Sequence, residues 1–368
     1  MTSEEPSPIA SGGAQPERCS GEHRNENIMN FDFTDDQQAI KRTAHDLLAQ
    51  RFKPDAVREL AEAGRYEDAH FAELAELGWA GIFVDEEHGG QGLGTVELAI
   101  LMEELGYSLA PVPFLSNAAA GLVLQHAGTD EQRSRWLPGI ASGEARGTAG
   151  LARDGVGALV ADADSAEVIV LLEGGGGTVY EASACDIETV ETIDATRRYA
   201  RVRPTGDGVA LGSDPAPGLD RIATALAAEL TGLCQRTMEM SVEYARDRKQ
   251  FDRPIGAYQA VSHRCADMLR EVESARSTTL WAAWAAEAEP ETLPLAAAMA
   301  KALASDAGWN VTSSALQVHG GIGFTWEHDL HFFLKRAKVD GALFGSAREH
   351  RERVAELSGL GEGSPAVA

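Results

Sequence analysis

The chain has 368 residues, 44% of them hydrophobic, and carries 57 acidic against 32 basic side chains for a formal net charge of -25. That length asks for two or three domains sharing interfaces, and the apolar content is ample to bury a large core. The charge excludes nucleic acid and anionic membrane surfaces as expected partners, because both would repel this surface at physiological salt.

Residues 1–28 are rich in Ser, Gly, Pro, Glu and Asn, lack the apolar core of a signal peptide and read as a disordered tail. Ordered structure is expected from Thr34-Asp35-Asp36-Gln37, a capping-box pattern, after which Ile40, Ala44, Leu47 and Leu48 recur at helical spacing. Further helices are expected at about 70–77, 95–106, 113–127 and 129–142, separated by the breakers Glu87-His88-Gly89-Gly90 and Pro111-Val112-Pro113. Residues 29–150 are thus predicted to form an N-terminal helical domain. From 151 to 214 the residues become β-branched and aliphatic (Glu167-Val168-Ile169-Val170-Leu171-Leu172, Thr178-Val179-Tyr180), with Gly174 to Gly177 as a turn, which predicts a reduced β-domain. Past Pro215 and Pro217 the helical period returns. Leu226, Leu230, Leu233, Thr237, Met240 and Tyr244 mark one buried stripe, and Ala-rich helices follow at about 257–288 and 292–317, so 215–358 is predicted as a helical bundle, with a tail at 359–368. The fold class is mainly α with a small central β-domain. Cys19, Cys185, Cys234 and Cys265 have neither CxxC nor metal-ligand spacing and read as reduced thiols. No run approaches the roughly 18 apolar residues of a membrane span. The expected compartment is cytoplasmic, with no metal site.

Several motifs occur in order along this layout. Near the C-terminus Gln317-Val318-His319-Gly320-Gly321-Ile322-Gly323-Phe324-Thr325 leads through Leu334-Lys335-Arg336-Ala337-Lys338 to Leu343-Phe344-Gly345-Ser346. Upstream lie Arg248-Lys249-Gln250-Phe251, and in the first third Leu77-Gly78-Trp79-Ala80-Gly81, Glu86-Glu87-His88-Gly89-Gly90-Gln91-Gly92 and Glu103-Glu104-Leu105-Gly106. Together these resemble the acyl-CoA dehydrogenase family over about residues 30 to 355. The resemblance implies an N-terminal helical domain, a β-domain and a C-terminal four-helix bundle, with FAD lying across a subunit interface.

By that resemblance Arg248 falls at the family's pyrophosphate-binding arginine, and a planar guanidinium can bridge two phosphate oxygens. Gln250, Phe251, Gln317, Gly320 and Gly321 match its companions, the glycines letting a dinucleotide approach the backbone. Read without the resemblance, Arg248 and Lys249 are a solvated helix end, Gly320-Gly321 a plain C-cap and Phe251 a core residue. The flavin half differs: where members of the family carry Thr-Glu-Pro and Gly-Ser-Asp segments and a tryptophan strand, this chain has Gly147-Thr148-Ala149-Gly150-Leu151-Ala152-Arg153-Asp154-Gly155, and the middle domain contains no tryptophan.

Phe344 stands where family members usually carry the catalytic glutamate. Desaturating an acyl thioester needs a carboxylate to take the α-proton while the β-hydrogen leaves as hydride to the flavin, and a phenyl ring accepts no proton. Some members place the base instead at the start of the bundle's first helix, before an arginine. Asp220-Arg221 look like that pair, although Asp220 also suits a helix N-cap, and Glu229 is a further alternative. His319 and His328 flank the glycines and read as phosphate donors or interface residues. Glu103-Glu104 and the pair Trp281 and Trp284 read as structural, and Arg221, Arg246 and Arg253 are candidates for CoA phosphates.

These features imply an FAD-dependent acyl-CoA dehydrogenase subunit that completes the FAD site of a related, catalytic subunit in a heterotetramer, with an acyl-CoA substrate. By resemblance an electron-transfer flavoprotein would take the electrons. Two other readings stay open: a self-sufficient homomeric enzyme with a non-standard base, and a non-catalytic scaffold that kept the fold.

Overall fold

The computed structural model describes residues 32–64 and 66–360, so the expectations for residues 1–28, for 361–368 and for Cys19 lie outside the described residues. Six helices come first: α1 (Asp35–Arg51), α2 (Pro54–Ala63), α3 (Asp68–Glu76), α4 (Thr95–Tyr107), α5 (Phe114–Ala127) and α6 (Asp130–Ser142). Seven strands follow: β1 (Gly147–Arg153), β2 (Val156–Ala161), β3 (Val168–Glu173), β4 (Gly176–Glu181), β5 (Cys185–Thr189), β6 (Tyr199–Pro204) and β7 (Val209–Ala210). The chain then returns to helix with α7 (Ala216–Asp247), a short hairpin of β8 (Lys249–Gln250) and β9 (Arg253–Pro254), and α8 (Gln259–Ala288), α9 (Leu293–His319), α10 (Leu330–Asp340) and α11 (Ala347–Leu357). The architecture is mainly α with a small central sheet, as the hydrophobic pattern implies.

Local chemistry explains most boundaries. The Thr34 hydroxyl accepts from the Gln37 amide at 3.2 Å while the Gln37 side chain takes the Thr34 N–H at 3.0 Å, so two of the orphan donors that start α1 are satisfied. Helix α2 is absent from the pattern-based expectation because it is one short turn-and-a-half of core face (Val57, Leu60, Ala61). Its punctuation is clear nonetheless, with Pro54 opening it and left-handed Gly64 closing it.

The sheet has the order β5-β6-β2-β1-β3-β4-β7, with β1 and β3 parallel and the remaining pairs antiparallel. Strand β3 explains why its segment reads as an unbroken apolar run. Val168, Val170 and Leu172 face the main core, whereas Ile169 and Leu171 face a second core with Val160, Ala200 and Val202, so both faces are buried. Strand β1 starts at Gly147, ahead of the expected 151, because its small residues show no β-branched signal. Asn117 on α5 ties it to the helices by accepting from Gly147 N–H at 3.0 Å and donating to the Ile140 carbonyl at 3.1 Å.

Within the helical part α4 and α7 touch backbone to backbone. A Cβ built on Gly106 would lie 2.0 Å from the Glu229 carbonyl oxygen, and one on Gly232 would lie 1.8 Å from that of Glu103. No side chain larger than hydrogen fits either crossing point.

The sheet and bundle meet over a buried ionic cluster. Arg197, between β5 and β6, donates to Glu229 of α7 and to Asp340 of α10, both at 2.6 Å. Arg336 donates to Glu229 at 2.8 Å, to Asp194 at 2.8 Å and to the Thr196 carbonyl at 2.6 Å. Three carboxylates thus share two guanidiniums, and Glu229 Oε2 and Asp340 Oδ2 have no hydrogen-bond partner among the described residues. Burial, reinforced by the Glu229 charge, pushes the Asp340 carboxyl well above its ordinary range, consistent with one proton held in the cluster. Above it, Lys301 Nζ donates to the carbonyls of Asp340 at 2.9 Å, Gly341 at 3.3 Å and Gly345 at 3.2 Å, closing the end of α10 and the loop that follows. Burial pulls this ammonium down to about 8.

Two outcomes test the cluster. Arg336→Met should lower the urea-measured unfolding free energy by about 3–5 kcal/mol, because it strands buried carboxylates. A change within the range of an ordinary surface substitution would contradict that. Because the folded-state pKa of Asp340 is raised, its stabilising contribution is complete below its ordinary value of 3.8 and is lost as pH rises through about 7. Asp340→Asn should therefore show a smaller fall in unfolding free energy than the unmodified chain between about pH 5 and about pH 8. An equal fall would remove Asp340 as the proton holder.

Candidate functional site

Arg248 is the C-terminal cap of α7, and the chain then turns through a two-residue hairpin with Lys249 opposite Pro254 and Gln250 opposite Arg253. The turn residues Phe251 and Asp252 have φ of 53° and 62°, the left-handed pair that a tight hairpin of right-handed twist requires. Glycine or asparagine is the usual occupant there, so holding a phenylalanine in it costs energy. Phe251 is nevertheless 88% exposed and therefore not the core residue that one reading of its sequence suggests. The hairpin is braced from beneath: Ile255 N–H donates to the Arg248 carbonyl at 2.8 Å, and the Tyr258 hydroxyl donates to the Gln250 carbonyl at 3.2 Å. Arg253 lies 4.0 Å over the Tyr258 ring. The Arg248 guanidinium is exposed and makes no ion pair among the described residues.

The second motif arrives at the same end of the bundle. The His319 ring, last in α9, stacks on Tyr244 of α7 with centroids 4.4 Å apart, and His328 packs edge-on against it at 4.6 Å. Buried, with Nδ1 facing the Ala315 carbonyl at 2.8 Å, His319 joins the two helix ends instead of pointing outward. Burial lowers the pKa of both histidines, so they are neutral near pH 7.

Gln317 is exposed beside it. Gly320 takes φ 64° and ψ -138°, a conformation outside the ordinary left-handed helix cap, and a Cβ on Gly320 or Gly321 would meet nothing within 4 Å. The chain's own packing therefore does not require a missing side chain at Gly321. Open space with no Cβ fits a ligand that approaches the backbone from outside. Phe324 (69% exposed), within the glycine motif, and Trp326 (67%), just past it, follow on the same segment. With Phe251 they form solvent-facing aromatics of the kind that mark contact surfaces. This end of the bundle offers an unpaired guanidinium and two side-chain-free positions, a set that suits the pyrophosphate and adenosine half of a dinucleotide.

The other candidates lie elsewhere. Asp220 is 1% exposed and sits inside α7, which begins at Ala216, so it is not an N-cap. Its carboxylate is held by both terminal nitrogens of Arg353 on α11, one at 3.1 Å. At a rise of ~1.5 Å per residue it lies roughly 40 Å along α7 from Arg248. Glu229 belongs to the ionic cluster. Arg221 is turned inward, donating to the Ala286 carbonyl at 2.7 Å and thereby capping α8, which removes it from contact with a CoA phosphate, whereas Arg246 and Arg253 are exposed. Glu103 and Glu104 both receive Lys41 of α1, at 2.9 and 3.1 Å, a structural pairing. Trp281 and Trp284 pack against the main core.

Phe344 occupies the loop between α10 and α11 with φ 53°, half-buried against the main core. Its carbonyl faces His350 Nε2 at 3.1 Å, and the next carbonyl is held by Lys301. The flanking carboxylates are committed: Asp340 to Arg197, and Glu349 to the Ser346 N–H at 2.7 Å as the α11 cap.

On the sheet, β1 runs into β2 through the left-handed pair Asp154-Gly155 (φ 53° and 73°), whose N–H groups donate to the Glu173 carboxylate at 2.5 and 3.0 Å. Thr148 is fully buried and spends its hydroxyl on the Ala161 carbonyl at 2.5 Å. The segment matched to the flavin half is a closed hairpin.

Two family models match the chain: the acyl-CoA dehydrogenase N-terminal domain over residues 34–144 and the acyl-CoA dehydrogenase C-terminal domain over 217–358. The segments between and outside them include the whole sheet. The chain is 34% identical over 325 residues to acyl-CoA dehydrogenase IpdE2 of Mycolicibacterium smegmatis, covering 88% of this chain and 98% of that one. It is likewise 34% identical over 323 residues to IpdE2 of Mycobacterium tuberculosis, covering 87% and 96%. Among solved structures it is similar to a Tcur3481-Tcur3483 steroid ACAD G363A variant, with TM-score 0.81, 27% identity and coverage of 88% of this chain and 97% of that one. The glutaryl-coenzyme A dehydrogenase glutaryl-CoA complex shares the fold with TM-score 0.82 at 20% identity, over 92% and 98%.

The strained hairpin makes a prediction about the isolated chain. Phe251→Asn should leave its unfolding free energy unchanged or raised, within about 0.5 kcal/mol, because the ring is solvated and asparagine suits the backbone. A loss of about 2 kcal/mol or more in a denaturant titration would show that Phe251 packs within its own subunit.

Proposed function

The chain belongs to the acyl-CoA dehydrogenase family, whose members are FAD-binding flavoprotein oxidoreductases, and from that premise we propose that it is the subunit that completes the FAD site of a catalytic partner. The observation that carries this reading is Phe344: the base position holds a phenyl ring, and the carboxylates beside it in sequence are tied to Arg197 and to the α11 cap. Bound FAD supplies one half of acyl-CoA desaturation, acceptance of the β-hydrogen as hydride. Removal of the α-proton falls to a protein carboxylate, and on this reading that carboxylate belongs to the partner.

This chain's contribution is to hold. On this reading Arg248 neutralises the pyrophosphate, Gln317 offers a side-chain amide, and Gly320 and Gly321 admit the adenosine side. Gln250 and Phe251 present the hairpin edge to the neighbouring subunit. On this reading the flavin-ring half comes from the partner: in this chain the Asp154 and Gly155 N–H groups are taken by Glu173 and the Thr148 hydroxyl by the Ala161 carbonyl.

Asp220 is a poor base for a self-sufficient enzyme while Arg353 grips both its oxygens. A scaffold without cofactor would leave the unpaired guanidinium and the strained hairpin unexplained. The Tcur3481-Tcur3483 steroid ACAD is named as a pair, which supports assembly with a related acyl-CoA dehydrogenase subunit and a bulky acyl-CoA substrate. An electron-transfer flavoprotein remains the proposed acceptor, by family resemblance alone.

The test is the visible spectrum of the chain purified alone and mixed with the candidate partner subunit. The expected result is no flavin band alone and one FAD per two chains in the mixture. A full complement of flavin on the chain alone would overturn the split-site reading. In the assembled pair, Arg248→Gln should weaken FAD retention by roughly 10-fold or more, the loss expected for one charge-assisted hydrogen bond. Unchanged occupancy would discard Arg248 as the pyrophosphate ligand.

A further inference from the structure

One turn along α7 from Tyr244 and next to His328, a partly open cavity of ≈ 250 Å³ lies where α1 and α2 meet the ends of α4 and α10 and the middle of α7. Its apolar wall is made by Phe52, Val57, Leu109, Met240, Phe332 and Phe333. Leu109 is held there at φ 50°, past the end of α4 where a glycine ordinarily closes a helix, and its side chain is buried as part of that wall. A left-handed leucine is unfavourable, and the structure bears the strain to keep this surface in place.

The charges around the cavity do not cancel. His45 is matched by Glu104 at 2.9 Å, and Asp329 by Arg58. Arg236 and Lys53, which also line it, make no ion pair among the described residues. Arg236 instead lies half-buried over the Tyr107 ring at 5.6 Å, and the Tyr107 hydroxyl donates to Glu239 at 2.6 Å. In a chain of formal net charge -25, two free cations on one apolar cavity set a local field of the opposite sign. A Debye length of ~8 Å isolates that field from the remaining surface.

We propose that this cavity binds a small amphipathic monocarboxylate, its apolar body against the phenylalanines and its carboxylate on Arg236, with Lys53 at the mouth. The size follows from packing: a cavity of about 150 Å³ admits a benzene ring of six heavy atoms, so this one takes about ten. A straight chain of about eight carbons ending in a carboxylate has that size. This site depends neither on the flavin nor on the partner subunit.

The probe is sodium octanoate, titrated calorimetrically into the full-length chain, with 1-octanol as the uncharged control. The expected result is one octanoate per chain, with octanol at least roughly 10-fold weaker because it lacks the charge-assisted contact. Arg236→Gln should weaken octanoate by a similar factor. Ala49→Trp, a change at an exposed lining position of α1 that leaves the core alone, should block entry, and circular dichroism melting checks that both variants fold. Absence of binding overturns the proposal, as does octanol binding equal to octanoate. Octanoate affinity unchanged in both variants overturns it too, because the ligand would then lodge elsewhere, the acyl-CoA site included. Loss of octanoate binding on assembly with the partner subunit would assign the cavity to a subunit contact and overturn it as well.

Discussion

Two buried guanidiniums hold the sheet to the bundle. Arg197 reaches from the strand region into α7 and α10, Arg336 reaches back from α10 to Asp194 and Thr196, and Glu229 accepts from both. Each guanidinium is planar with a fixed fork of donors, so the pair fixes orientation as well as distance. The cluster anchors the C-terminal end of α10, Lys301 closes the carbonyls just beyond it, and the Phe344 loop departs from that point. Glu229 serves this role through its Oε1, which accepts two charged donors in a site closed to solvent.

From that anchor the two long helices α7 and α9 run to the far end of the bundle, where Tyr244 and His319 stack and carry the Arg248 hairpin and the Gly320-Gly321 turn. The helices thus act as spacers between the position lacking a base and the end offering an unpaired cation. A single chain built this way cannot bring both ends to one cofactor by a side-chain movement. A site shared between subunits, like or unlike, would resolve the geometry.

Much of the architecture was legible because periodicity and punctuation agree. The Thr34 capping box, the α7 stripe ending in Tyr244 and the apolar run of β3 all appear where their patterns put them. Short elements escaped: α2 buries too few residues to show a period, and β1 is built of glycine, alanine and threonine whose strand conformation comes from pairing with β3. Candidate residues were legible as types and places in order, but not as states. Nothing in the sequence tells that Phe251 is solvated, that Arg221 turns inward to cap α8, or that Arg353, over a hundred residues away, neutralises Asp220. Those facts depend on contacts between distant segments, which no local spacing encodes.

The direct backbone contact at Gly106 and Gly232 has a mechanical consequence. With carbonyl oxygens nested where side chains would otherwise cushion them, α4 and α7 have no compressible layer between them and must translate as one beam. Any accommodation to a larger guest has to be absorbed at the outer rods or in the curled sheet. The crossing point is therefore the fixed fulcrum of the molecule.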